Sequence, residues 1–288
     1  QAMSPFIAVT HGKQPPASHF RDIDPVANRG CPPLIPQLIG KDGQDFRETA
    51  ARIHGEFGYD EVNWNIGCPA GTVTSRLRGA GMLAHPEMID AFLDQACRDL
   101  PCRLSVKMRL GMERDDEFQL LAPILNRYPI SEITIHPRTG RQQYTGTANV
   151  ERFAELKALL HHPVVYNGDI RSAERCQAIA SRFPDLSGIM IGRGCVTNPW
   201  LALAIKSGGD EKAAFDFEGF RRFHDELLAA YIAEMQGGAR PVLGKMKEVW
   251  TYWEIHFPDA ERRVRQVLRS ETLDEYRAMV ERAFATRR

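Results

Sequence analysis

The chain has 288 residues, 43% hydrophobic and 26% charged, enough to bury one large core and a smaller one. Lys plus Arg and Asp plus Glu both number 37, so the formal net charge is +0 and any nucleic-acid contact has to come from local patches, not from a global positive field. Six cysteines with no Cys-x-x-Cys pair or zinc-type spacing, and no apolar run of about 20 residues, read as a cytoplasmic protein without metal.

In chain order, residues 4–10 read as a short strand, a Pro- and Gly-containing stretch to residue 30 as loop, and the apolar run 33–40 as the next strand. A helix follows, with Asp42 or Asp45 as its cap and Phe46, Ala50, Ile53 and Phe57 at helical spacing. Glu61-Val62-Asn63-Trp64-Asn65 alternates and then breaks at Gly67-Cys68-Pro69. Pro69 has no amide to give to a ladder, so this is a buried strand whose turn delivers Cys68 to a rim. Residues 71–81 read as loop, and Met88, Ile89, Phe92, Leu93 and Ala96 as one helical face. Residues 103–111 alternate with period two, which puts Ser105, Lys107 and Arg109 on one face. A helix (117–127), a strand (132–136), a helix (150–160), a strand (163–169), a helix (172–182) and a strand (188–194) continue the rhythm.

Alternating strands and helices to about residue 205 imply βαβ units and a parallel sheet. The strand exits carry Gln37, Asn65 with Cys68, Lys107, His136 with Arg138, Asn167 with Asp169, and Gly192 with Arg193. Polar residues at many strand ends suit a (β/α)8 TIM barrel, here one strand short, better than an open doubly wound sheet with a single switch point. The expected fold is therefore α/β: a barrel over residues 1–208, followed over 209–288 by an all-α helical bundle. In the bundle Phe220, Phe223, Leu227, Tyr231 and Met235, then Met246, Val249, Trp250, Trp253 and Phe257, recur at helical intervals and read as core.

A cysteine at a strand exit of a barrel stands where chemistry is done, whereas most unpaired cysteines are packing residues. Asn167-Gly168-Asp169 and Gly192-Arg193-Gly194 occupy the last two exits, where barrels commonly bind phosphate. Lys107 and His136 point inward by the same alternation. An isolated buried ammonium is too costly, so Lys107 is either salt-bridged, for example to Asp169, or in contact with a ligand. A phosphate-bearing redox cofactor with an electron-accepting ring would satisfy both Lys107 and His136.

The motifs Asn65-Ile66-Gly67-Cys68-Pro69, Gly79-Ala80-Gly81-Met82-Leu83, Val106-Lys107-Met108-Arg109-Leu110-Gly111, His136-Pro137-Arg138-Thr139, Asn167-Gly168-Asp169-Ile170 and Ile191-Gly192-Arg193-Gly194 occur in register. Together they resemble the tRNA-dihydrouridine synthase family across about residues 33–200. The resemblance implies an FMN enzyme, recharged by NADPH, that reduces the 5,6 double bond of a uridine in tRNA. Reduced FMN would give hydride to C6 and Cys68 would protonate C5, a role open to a thiol of ordinary pKa, about 8.5. Gln37, Lys107 and His136 would contact the flavin ring or ribityl chain, and Asn167, Asp169, Gly192 and Arg193 its ribityl-phosphate end. Asn65 would orient the base and Arg138 would lie near the base or flavin, with Arg141 and Tyr144 on a loop suited to phosphates and a splayed base.

In the tail, Lys245, Lys247, Arg262, Arg263, Arg265 and Arg269 are either tRNA-backbone contacts or a solvated helix face interleaved with acids. Two departures are Pro137 within the His-x-Arg-Thr motif and Asn63 where an acid is common. No Ala-Pro-Met-type stretch precedes Ser4, so a barrel without its first strand, a truncated chain, weak or absent FMN binding and an inactive form are further expectations. The partner expected is tRNA and the working form a monomer, with exchange of an element between copies as the exception. The rival readings are a flavin barrel acting on a free pyrimidine and a noncatalytic tRNA-binding remnant.

Overall fold

The computed structural model describes residues 1–208, 215–257 and 260–285. They form two compact units, the first made of Gln1–Gly168 with Phe183–Met190 and the second of Asp169–Arg182 with Ile191–Arg288. The boundary expected at residue 209 lies outside the described residues.

The first unit is built on seven strands: β1 (Ala2–Ala8), β2 (Leu34–Ile39), β3 (Glu61–Ile66), β4 (Arg103–Arg109), β5 (Ile130–His136), β6 (Val164–Tyr166) and β7 (Gly188–Ile189). Its helices are α1 (Gly43–Phe57), α2 (Gly71–Thr74), α3 (Pro86–Ala96), α4 (Phe118–Leu125) and α5 (Val150–Lys157). Every strand pair is parallel and the sheet order is β1-β2-β3-β4-β5-β6-β7. A parallel sheet that never reverses its order is the wall of a (β/α) barrel; a doubly wound sheet would reverse at a switch point. The consequence for function is that all strand exits share one rim.

Local chemistry explains the elements. Asp42 settles the choice of cap for α1, its carboxylate accepting from the Asp45 N–H at 2.9 Å, and Gly58 ends the helix in the left-handed conformation at φ 74°. The α1 face of Phe46, Ala50 and Ile53 is buried. Phe46 meets Phe92 of α3 edge-on at 5.2 Å, and Phe92 stacks on Trp64 of β3. Trp64 Nε1 donates to the Gly40 carbonyl at 3.1 Å, so the largest ring behind the site is fixed by a polar handle as well as by packing.

Three sequence expectations are corrected. Residues 71–81 are not plain loop but contain α2 and a 3-10 turn over Gly79–Met82. The strand expected over 163–169 stops at Tyr166, and Asp169 sits in the left-handed region at φ 46°. The strand expected over 188–194 is only Gly188–Ile189, because glycines at 188, 192 and 194 give little side chain to pack and favour bends over extended backbone.

The second unit contains α6 (Ala173–Arg182), α7 (Arg193–Thr197), α8 (Leu201–Ser207), α9 (Phe217–Glu234), α10 (Ala239–Trp253), α11 (Ala260–Arg269) and α12 (Leu273–Ala285). The aromatic stripes do form its core: Phe220, Trp250, Trp253, Phe257, Tyr276, Val280 and Phe284 are buried together. Phe223, at the edge of its stripe, is left 38% exposed. Within this core Trp250 Nε1 donates to Tyr276 Oη at 2.8 Å, and His224 Nε2 lies 2.7 Å from the same oxygen. Burial holds the His224 pKa below the usual histidine value, which suits an imidazole that accepts the tyrosine proton while its Nδ1 faces Asp225 at 2.8 Å. Trp253 Nε1 donates to the Val196 carbonyl at 2.9 Å and ties α10 to α7.

Candidate active site

Parallel register sets Gln37 beside Asn63 and Asn63 beside Ser105, and the two-residue period brings Asn65 to the same side of β3. All four side chains are buried. Gln37 Nε2 donates to Asn63 Oδ1 at 2.9 Å, Asn63 Nδ2 to Ser105 Oγ at 3.1 Å, and Asn65 Nδ2 to Gln37 Oε1 at 2.8 Å. Asn65 Oδ1 then accepts the backbone N–H groups of both Gly67 and Cys68, each at 3.0 Å. An unpaired amide here would cost roughly 1–3 kcal/mol, so the relay is stable only as a whole. Its end point is the Cys68 backbone. Asn65, expected to orient a substrate base, has its acceptor oxygen committed to that turn.

The carbonyl side of Cys68 is fixed as firmly. Ala80 N–H donates to Cys68 O at 2.9 Å, and Gly79, at φ 54°, packs so closely that a Cβ would lie 2.7 Å from the same oxygen. Cys68 itself is half-buried, with its backbone held at both ends.

On β4, Lys107 pairs in register with Asn65, and Arg109 with His136 of β5. Burial, followed by the Arg109 charge, pushes the Lys107 amine down to about 8, while Cys68 pulls it up. The register that pairs Lys107 with Asn65, three residues before Cys68, carries the amine and the thiol to the same strand exits. Among the described residues no carboxylate acts on Lys107, so the salt-bridge reading of this lysine has no acid to support it.

Arg109 is 1% exposed and spends its donors on two loops. Nε donates to Gly67 O at 2.9 Å, and Nη1 to Thr139 O at 2.8 Å and Gln143 O at 2.7 Å. Its guanidinium also lies 5.3 Å from the Tyr144 ring centre. Arg138, equally buried, donates from Nη2 to Gly146 O at 2.7 Å and from Nε to Thr145 O at 3.2 Å. Its Nη1 stands 2.9 Å from His136 Nε2. A guanidinium can only donate, so His136 Nε2 is the acceptor in this contact. Tyr144 is 55% exposed with its ring 6.2 Å from His136, and Arg141 is exposed and paired with Glu113 at 3.0 Å. Asn167 Nδ2 donates to Met190 O at 2.9 Å. In the second unit, Asp169 and Arg193 form an ion pair at 3.2 Å, and Gly192 precedes α7.

The sequence model described as "Dihydrouridine synthase (Dus)" matches residues 1–285. The chain belongs to the dihydrouridine synthase family. It is 31% identical over 172 residues to tRNA-dihydrouridine synthase B of Pasteurella multocida, an alignment covering 59% of this chain and 51% of that protein. It is 30% identical over 259 residues to tRNA-dihydrouridine(16) synthase of Pseudomonas putida, covering 85% of this chain and 77% of that one. The chain thus spans about half the length of the first relative. Among solved structures, a variant of NCR from Zymomonas mobilis aligns at TM-score 0.49 and 16% identity over 72% of this chain and 75% of that one.

For this dihydrouridine synthase family member, the sequence marked Asn63 only as a departure from the family pattern and Arg109 only as a residue on the Lys107 face, and gave neither a role. Asn63 lies two residues before Asn65 on the same face, and as an amide it can both donate and accept, which an acid in the relay could not do while ionised. Arg109 was already placed beside Lys107 by the period of β4. What the period lacks is the distance to two remote loop backbones.

Proposed function

We propose that the chain is a tRNA-dihydrouridine synthase that uses FMN and NADPH to reduce the 5,6 double bond of a uridine in tRNA. The observation that carries this reading is that Asn65 holds the turn of the half-buried Cys68 and pairs in register with Lys107, an amine that has no acidic partner among the described residues. Such an amine fits the electron-rich edge of a flavin ring, and the neighbouring Gln37 and His136 offer polar contacts to the same ring. Asn167, Asp169, Gly192 and Arg193 are assigned to the ribityl-phosphate end.

Bound and reduced, FMN supplies the hydride. Cys68 Sγ holds the proton destined for the neighbouring carbon of the base, and the Asn65 and Ala80 hydrogen bonds hold the backbone turn that carries it. Lys107 holds negative charge in place, and its effect has a definite pH window. The ammonium is half lost at about 8, largely present a unit below and largely gone a unit above. FMN affinity, read by quenching of flavin fluorescence, is therefore expected to be full at neutral pH and to fall as pH rises through that value. Lys107→Met is expected to bind weakly throughout and to show no step.

Arg141 and Tyr144 are assigned to the substrate side, where an exposed tyrosine can stack on a base drawn out of its helix, and Asn65 and Arg138 to the turns that support that side. Residues 209–288 are assigned to the tRNA body and the whole chain to the cytoplasm. The test is incubation of the chain with FMN, NADPH and unmodified tRNA, followed by mass mapping. A gain of two hydrogens at a uridine is expected. Reduction of free uracil without reduction of tRNA would instead make the chain a free-pyrimidine reductase.

A further inference from the structure

Among the described residues Arg78 and Arg152 each bury an Nε without a hydrogen-bond partner, but Arg152 keeps ion pairs with Asp115 and Glu155 and Arg78 has none. Arg98 pairs with Asp94, Arg103 with Glu61 and Arg141 with Glu113. The Nε of Arg78 is shut off from solvent and has no hydrogen-bond partner among the described residues, although the residue as a whole is only partly buried. A guanidinium with no ion pair among the described residues, on a residue that is only partly buried, keeps its charge for an acceptor that arrives from outside.

Its place in the fold says which acceptor. The Arg78 N–H is bonded to Val73 O at 3.3 Å and its carbonyl accepts from Gly81 at 3.1 Å, so the backbone is fixed. The next two residues are the pair that grips Cys68: Gly79 packs on the cysteine carbonyl and Ala80 donates to it. A guanidinium on this segment is carried on the same rim as the thiol, with Arg76 exposed two residues before it.

We propose that Arg78 is a substrate-contact residue that takes a phosphodiester oxygen of the RNA strand next to the nucleotide presented to Cys68. This deepens the tRNA reading and rests on it. Arg78 fixes the strand while the thiol addresses the base, and the phosphate supplies the counter-charge that the described residues do not. The same phosphate chemistry could come from the flavin, and the experiment separates the two sources.

The experiment measures tRNA affinity of the holoenzyme across a salt series, and FMN affinity in parallel, for the unaltered chain, Arg78→Gln and Arg78→Lys. Loss of one phosphate contact is expected to weaken tRNA binding by about tenfold and to lower the slope of log affinity against log salt by roughly 0.7–0.9 for Arg78→Gln. Arg78→Lys keeps the charge, so its slope is expected to stay while its affinity falls. FMN affinity is expected to be the same in all three. Equal tRNA affinity and slope in all three overturns the proposal but leaves the tRNA reading intact. Loss of FMN affinity with tRNA binding unchanged assigns the arginine to the flavin phosphate and also overturns it. An unaltered chain that binds no tRNA at any salt overturns the tRNA reading itself, and this proposal with it.

Discussion

Cys68→Ala is expected to lower single-turnover formation of dihydrouridine by about 10²- to 10⁴-fold, the usual range for loss of a positioned acid or base. The effect should be confined to chemistry. Asn65 holds the Cys68 N–H and Ala80 the Cys68 carbonyl, so the turn keeps its shape when the side chain is shortened. The sulfur lies at a half-buried rim, and its removal opens little cavity. FMN content and tRNA affinity are therefore expected to match those of the unaltered chain. Cys68→Ser is expected to recover little, because a hydroxyl is a far weaker acid than a thiol. Pre-reduced enzyme mixed with tRNA and quenched in time gives the measurement. A rate unchanged in Cys68→Ala would remove the thiol from the mechanism.

The same cysteine shows how much the sequence discloses. Alternation followed by Gly-Cys-Pro was enough to put Cys68 at a strand exit, because period two and the missing proline amide are local facts. The order of the seven strands was equally open to reading, since helices of ten or so residues between apolar runs force parallel neighbours. The shortness of β7 was not. Gly188 and Ile189 are extended only where β6 offers partners, and that depends on register. Nor could spacing show that Asn65 turns back on its own loop. A buried asparagine two residues from a turn has backbone and ligand to choose between, and the nearer backbone donors take its oxygen.

Arg109 is the extreme case of a residue whose role lies in distant carbonyls, and its replacement carries the other large expected effect. Arg109→Met keeps much of the volume but strands Gly67 O, Thr139 O and Gln143 O, which lose charge-assisted donors. Bonds of this kind are worth roughly 1.5–3 kcal/mol each, and they are not additive, so a loss of about 3 kcal/mol is a fair expectation. Arg109→Lys preserves the charge and can reach one of the loops, but a single ammonium cannot reproduce a fork that spans both. It is expected to lose less stability and still to lower kcat, because the loop that holds Cys68 and the loop that carries Tyr144 no longer move as one body. Backbone hydrogen exchange separates this from general loosening. Residues 66–70 and 139–146, far apart in the chain, should exchange faster together in Arg109→Lys, while the buried strands β3 and β4 keep their protection. Exchange that quickens in only one of the two segments would mean that the arginine supports a loop and does not couple them.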